Sequence, residues 1–455
     1  MKIIIVGGGK VGQAIAKHLS QEEHDIVLID TDYDRLDRVG SKLDIMAIKG
    51  NGLRTTVLMD AGISDTDLII ATTSSDEVNM LCCLTGKRLG AKYAVARIRD
   101  PEYTEELTSL KKEMGLDLVI NPEQEAASEI ARILRFPTAI NIDTFVDGRI
   151  EMVSFKIKED GFLTGKTISN IKSRIPLPII FCAVIHEGEV IIPDGNYIAK
   201  PDDTFYVIGS PTEINNFFKT IKRVTEKAKS TLVIGGGRIA FYLCKFLVDV
   251  GVDVKIIEIN KEHCYQLNEI LPECVVINGD GSDSELLDEE DIESFSSVVT
   301  LTDRDEENLI TALYASNVGV PKVIAKINRA NYDKILESFG IDSVVSPKNI
   351  TAEQIIRFVR ALNNTVGHTN IETLHYIVDE RAEALGFIAD SDTLNLGKAL
   401  KNIKFQKNIL VAAIERKGKV IIPSGNDCIL EGDRIIIVSS KKRLTSLNDV
   451  FLGGN

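Results

Sequence analysis

Two glycine-rich fingers in one chain, KIIIVGGGKVG beginning at Lys2 and TLVIGGGRIA beginning at Thr231, constrain the fold more than any other feature of this sequence. Each closes a short apolar run and is followed by apolar residues at helical spacing, so each reads as strand, tight turn and helix. Asp30 and Glu258 each lie 21 residues beyond the middle glycine of their finger, at the end of the next apolar run. The register marks a duplication. Gly7 and Gly235 are 228 positions apart, as are Asp30 and Glu258; Asp76 and Asp305, like Asn79 and Asn308, are 229 apart, and Pro193 and Pro423 are 230 apart. So small a drift leaves room for only tiny insertions, and the repeat unit is residues 1–222 against 230–455.

A chain of 455 residues, 44% hydrophobic and 26% charged, forms several compact domains at about 100–200 residues each. Strand and helix alternate from Ile3–Val6 through Ile26–Asp30, DIMAIKGN, DLIIATT and YAVARIRD, and a further helix follows Pro122. That grammar predicts a parallel sheet with helices on both faces. From about Asn141 it changes to alternating apolar residues with turns at Asp160–Gly161, Glu187–Gly188 and Asp194–Gly195, which reads as short antiparallel strands. The expected fold is α/β: two Rossmann-like, doubly wound parallel-sheet domains at 1–139 and 230–362, each followed by a small α+β domain at 140–222 and 368–455, with Lys222–Ser230 as linker.

The chemistry of the finger follows from its glycines. The first allows the tight turn, the second lets backbone approach a pyrophosphate, and the third lets helix pack on strand. The helix N-terminus then offers free N–H groups and a partial positive charge to phosphates. Gly7, Gly8, Gly9, Lys10, Val11 and Gly12 supply this in the first copy; Gly235, Gly236, Gly237, Arg238 and Ile239 do so in the second, with Ala240 at the packing position. A carboxylate at Asp30 or Glu258 accepts both ribose hydroxyls of an adenosine and repels a 2′-phosphate, which favours NAD(H), ATP or ADP over NADP. Other strand ends converge on the same crevice: Asn51 and Asp280, Thr73–Ser74 and Thr302–Asp303, and Arg97 and Lys326.

Catalytic parts are missing. None of the ten tyrosines is followed by lysine four residues on, and no GxSxG elbow or HExxH helix occurs. His18, His24, His186, His263, His368 and His375 read as surface or packing residues. The seven cysteines form no CxxC pair and read as reduced core thiols, so no metal site is expected. The acidic run Ser282–Ser294 departs from a calcium loop and reads as a solvated helix. A net charge of −14 argues against nucleic acid or anionic lipid as partner. No apolar run approaches the roughly 20 residues of a membrane span, and the start at Met1 enters a strand directly, so a cytoplasmic location is expected. An NAD-dependent oxidoreductase with a duplicated cofactor domain is the alternative to a nucleotide-controlled regulator.

The order GGGKVG, LID, KGNG, ATTSSDEVNM and ARIRDPEY, followed by a small domain ending in VIIPDGN, resembles the regulator of K⁺ conductance (RCK) family over essentially the whole chain. The duplication is similar to that in the cytosolic regulatory subunits of bacterial and archaeal Trk potassium uptake systems. The resemblance implies a non-enzymatic peripheral subunit that binds NAD(H) and ATP or ADP. It also implies gating of a membrane potassium-translocating partner similar to TrkH, and assembly of the Rossmann-like domains into dimers and a ring, with the helix after the sheet at the dimer contact. By resemblance, Gly7–Val11, Asp30, Thr73, Ser74 and Arg97 form the first nucleotide site, and Gly235–Ile239 with Glu258 the second. Asn51 stands where an aspartate is commoner, Ala240 replaces a glycine and Lys326 an arginine, so the second site departs further from the family pattern.

Overall fold

The computed structural model describes residues 1–452 apart from 23, 102, 104–112, 136–139, 147, 158, 160, 222–228, 329–342, 367–370, 378–381, 441–443 and 445. The linker expected at Lys222–Ser230 falls mostly outside the described residues. The first unit builds a six-stranded sheet in the order β3-β2-β1-β4-β5-β6 from β1 (Lys2–Val6), β2 (Asp25–Asp30), β3 (Met46–Lys49), β4 (Leu68–Ala71), β5 (Tyr93–Arg97) and β6 (Leu118–Ile120). Every pairing is parallel, as the strand–helix alternation predicts. The sheet interior is Ile and Val on both faces, which suits strands covered by helices above and below.

A five-stranded antiparallel sheet follows, in the order β10-β9-β11-β8-β7, from β7 (Asn141–Phe145), β8 (Ile150–Lys156), β9 (Ile179–His186), β10 (Glu189–Ile191) and β11 (Thr204–Gly209). The second unit repeats both sheets. β12 (Ser230–Ile234), β13 (Asp253–Glu258), β14 (Val275–Asn278), β15 (Ser297–Thr300), β16 (Val323–Lys326) and β17 (Ser343–Val345) take the order β14-β13-β12-β15-β16-β17. β18 (Ile371–Ile377), β19 (Ala382–Ile388), β20 (Ile409–Arg416), β21 (Lys419–Ile421) and β22 (Arg434–Ser439) take the order β18-β19-β22-β20-β21.

Two details differ from the sequence reading. A sixth strand, β6 in one copy and β17 in the other, closes each parallel sheet beyond YAVARIRD and its counterpart; three residues are too few to show a period. The acidic run is not one solvated helix but helix Ser284–Glu289 and a short 3₁₀ turn, Ile292–Ser294, with Leu287 and Ile292 buried in the core.

The two units exchange helices. Helix Pro122–Arg135, which leaves the first parallel sheet, sets Ala126, Ala127, Ile130 and Ile133 against Tyr242, Leu243 and Leu247 on the finger helix Arg238–Asp249 of the second. Reciprocally, helix Pro347–Val366 sets Ile355, Ile356 and Val359 against Ile15 and Leu19 on the first finger helix, Lys10–Ser20. Asn121 at the start of the first exchange donates to the Tyr242 hydroxyl at 2.9 Å, and Arg360 in the second donates to Glu22 at 2.9 Å. The helix contact that the family resemblance implies between Rossmann-like domains is thus made within one chain. The two small sheets also meet: Ile150, Met152, Ala183 and Ile208 pack with Ala384, Ala412, Ala413 and Ile436, the alanines allowing close approach, and Arg149 pairs with Glu415 at 3.1 Å beside them.

Candidate functional site: two fingers on one cavity

The first finger turns on Gly7 at φ +108°, where a side-chain carbon would sit 2.9 Å from the Thr72 backbone. Gly12 lets the helix close on the turn, because a Cβ there would lie 1.9 Å from the Gly7 carbonyl oxygen. Gly9 is different: nothing stands within 4 Å of the position its Cβ would take, and the same holds for Gly237. The middle glycine of each finger is therefore dispensable for packing and faces open space. No side chain caps either finger helix, at Gly9 or at Gly237, so first-turn N–H groups remain for an anion.

The acids are held by the fingers they serve. Asp30 accepts from Gly8 N at 2.5 Å and Asp32 N at 2.8 Å; Glu258 accepts from Gly236 N and Asn260 N, both at 2.8 Å. Asn79 and Asn308, both fully buried, fix the next wall. Asn79 Nδ2 donates to the Arg97 carbonyl at 2.8 Å and its Oδ1 accepts from Thr73 N at 2.7 Å; Asn308 repeats this with Lys326 and Thr302 at 2.9 and 2.8 Å. Asp76 Oδ2 accepts from Arg99 N and Asp100 N at 2.8 and 2.9 Å. The DEVN and DEEN segments therefore tie the end of the fourth strand to the end of the fifth, a role that spacing alone does not reveal.

A cavity of about 810 Å³ opens at the carboxyl edge of the first sheet. Of the residues expected at the first site, Gly7, Gly9, Lys10, Val11, Asp30, Asn51, Thr73, Ser74 and Arg97 line it; Gly8 lies behind, bonded to Asp30, and Gly12 is buried in the helix contact. Gly237, Arg238 and Ile239, expected at the second site, line the same cavity, with Lys326, whereas Gly235, Gly236 and Glu258 do not. The helix exchange causes this, since it turns the two fingers toward each other. Arg238 is felt electrostatically at both Arg97 and Glu123 of the first unit.

Sequence reading missed Arg99 and Glu123 on the first side and Lys348 on the second, all on the cavity wall. Their signal was their position: Glu123 and Lys348 each follow the proline that opens an exchanged helix. Seven basic side chains (Lys10, Arg35, Arg97, Arg99, Arg238, Lys326 and Lys348) face three carboxylates (Asp30, Glu123 and Asp303) there, in a chain whose net charge is −14. Such local reversal of sign concentrates anions. Burial, then the neighbouring Arg99, lowers the Arg97 guanidinium below its ordinary range, and burial raises the Glu123 carboxyl above its own against the pull of Arg99, Arg97 and Arg238. An added phosphate relieves the crowding of like charge.

Among the described residues no group of three or more His, Cys, Asp or Glu gathers as a metal site, and no helix is long and apolar enough to cross a membrane. All seven cysteines are free, and all but Cys428 are buried.

The TrkA-N domain family model matches residues 3–122 and 231–347, and the TrkA-C domain model matches 152–222 and 387–452. The chain belongs to the TrkA family. It is a duplicated member, with both domain types present twice. The Trk system potassium uptake protein TrkA homolog 2 of Methanosarcina mazei is 34% identical over 99% of this chain and 100% of its own length. The Trk system potassium uptake protein TrkA of Halomonas elongata is 32% identical over 100% and 99%. Among solved structures, the GsuK RCK domain shares the fold at 18% identity and a TM-score of 0.65, covering 96% of this TrkA-family chain and 92% of that one. The GsuK channel bound to NAD has a TM-score of 0.63 at 18% identity and covers 96% and 76%.

Proposed function

We propose that this TrkA-family chain is a nucleotide-sensing regulatory subunit of potassium uptake. It binds NAD(H) and ATP or ADP at its fingers and gates a membrane potassium-translocating partner of the TrkH kind, as a homo-oligomer on the inner face of the membrane. The observation that carries this reading is a basic cavity lined by residues of both fingers. A ligand there touches both units at once, so its affinity depends on how they are set. That dependence is the physical requirement for regulation: a ligand shifts an equilibrium only by its differential affinity for the two states, typically a coupling of about 1–3 kcal/mol. The names of the relatives supply potassium uptake, and the GsuK structures bound to NAD and to ADP support the ligand class.

In the proposed complex Asp30 takes the adenosine ribose of the first nucleotide, while Gly9 and the N–H groups of Lys10 and Val11 take its phosphates. Arg97 and, from across the interface, Arg238 balance their charge. Glu258 with Gly235, Gly236 and Gly237 serves the second nucleotide, and Asn51, Thr73 and Ser74 border the first. The relatives are named for potassium uptake, which supports a regulatory rather than an enzymatic reading. Calorimetry with NADH, ATP and ADP on the full chain and on Asp30→Ala, with potassium flux through the reconstituted transporter, tests it. Loss of binding together with loss of nucleotide response is expected; binding unchanged in Asp30→Ala, or steady NADH consumption, overturns it.

A further inference from the structure

The two small domains satisfy one buried carboxylate in two chemically different ways. Asp203 precedes β11 and is fully buried; Asp433 holds the equivalent place before β22 and is 1% exposed. In the second domain Arg416 grips Asp433 with Nε and Nη2, both at 2.7 Å, and the Leu430 N–H adds a bond at 2.8 Å. That pairing is permanent, because arginine does not give up its proton. In the first domain His186 stands where Arg416 does, 230 positions earlier. Its Nδ1 lies 2.7 Å from Asp203 Oδ1, and Tyr197 OH and Lys200 N–H donate to Oδ2, both at 2.9 Å.

The far side of the imidazole decides its state. Lys200 Nζ lies 3.0 Å from His186 Nε2. An ammonium can only donate, so Nε2 accepts, the ring is neutral and its one proton is on Nδ1, aimed at Asp203. A second ring proton at Nε2 and the Lys200 contact exclude each other. The groups that face the ring among the described residues are Asp203 and Lys200, with Glu189 opposite His186 across the β9–β10 ladder and Tyr197 on the other oxygen of Asp203. Tyr197 stays a donor, since burial and then its bond to Asp203 push the phenol far above its ordinary range.

We propose that His186 is a proton-operated clip of the first small domain. Uptake of one solvent proton at Nε2 converts the Asp203–His186 hydrogen bond into an imidazolium–carboxylate pair and expels the Lys200 ammonium, which unties the Lys200 side chain from β9 while Asp203 stays held. The hairpin that carries His186 places Val190 and Ile192 against the core shared by the two small domains. Proton uptake therefore acts at their interface, and only from the first copy, because Arg416 and Leu430 make the second insensitive.

Histidine-selective ¹⁵N labelling of the full chain, with ring spectra from about pH 8.5 to about pH 5.5, brackets the range in which imidazoles titrate. The His186 signal is identified by its loss in His186→Arg, which keeps a partner for Asp203. The Nδ1–H tautomer is expected at the upper pH and a doubly protonated ring at the lower. Amide exchange around Lys200, corrected for intrinsic rates, is expected to rise about fivefold on acidification, the worth of the one hydrogen bond lost. His186→Arg is expected to abolish that rise, and Lys200→Leu, which copies Leu430, to show the fast rate at both pH values. An Nε2–H tautomer at the upper pH, or the same acid-dependent exchange in His186→Arg, overturns the proposal.

Discussion

Arg238 belongs by sequence to the second finger yet lines the cavity of the first site, so its removal tests the shared-cavity geometry directly. The substitution is Arg238→Ala, made beside Glu258→Ala so that only the first site binds. Arg238 is exposed at the cavity rim. A guanidinium about 4 Å from a phosphate contributes about 1 kcal/mol in water and about 4 kcal/mol in a partly buried setting. Rim exposure and salt place Arg238 near the lower limit, at about 1–1.5 kcal/mol, or about five- to twelvefold in affinity. Calorimetry with ATP at low and high salt reads this out: the loss is expected to shrink at high salt, whereas Lys10→Ala gives a loss of similar size from the other side. If Glu258→Ala and Glu258→Ala/Arg238→Ala bind ATP equally at low salt, Arg238 does not reach the first nucleotide and the reasoning fails.

Gly9→Ala is expected to leave the melting temperature unchanged, because its Cβ meets nothing within 4 Å, yet to weaken nucleotide binding at least about tenfold by blocking the phosphate approach. Gly12→Ala, whose Cβ would meet the Gly7 carbonyl at 1.9 Å, is expected to lower stability instead, as thermal unfolding without ligand will show. Ile130→Ala, in the exchanged helix, removes a fully buried side chain and is expected to cost about 2–5 kcal/mol in denaturant unfolding, with reduced communication between the fingers. Burial raises the Glu22 carboxyl, but hydrogen bonds and charge from His24 and Arg360 outweigh it and hold the group below its ordinary value of 4.5. A depressed carboxyl stabilises the fold above that value and loses the contribution as pH falls through it, so Glu22→Gln is expected to flatten the acid limb of the melting temperature below about pH 5.

The fingers were legible because their requirements are local. Gly7 needs its positive φ within a single turn, and Asp30 finds Gly8 N at the end of the adjacent strand. Strand–helix alternation likewise specified two parallel sheets, while β6 and β17 were too short to show a period. The duplication offset carried the architecture of one unit to the other. The contacts of His186 with Asp203 and Lys200 were not legible, because no spacing links those residues to it.

The exchange of helices lay beyond the sequence. Periodicity in Pro122–Arg135 and Pro347–Val366 says that one face is buried, not what buries it. Ala126 and Ile130 would satisfy the hydrophobic effect against any apolar surface of matching shape, since burial is not directional. The folded chain places that surface on the second finger helix and returns Ile355 and Val359 to the first. The sequence alone determined two glycine fingers, each with an acid 21 residues beyond its middle glycine. Only the tertiary structure decided that they face one cavity, because that arrangement depends on contacts between residues more than a hundred positions apart, such as Asn121 with Tyr242.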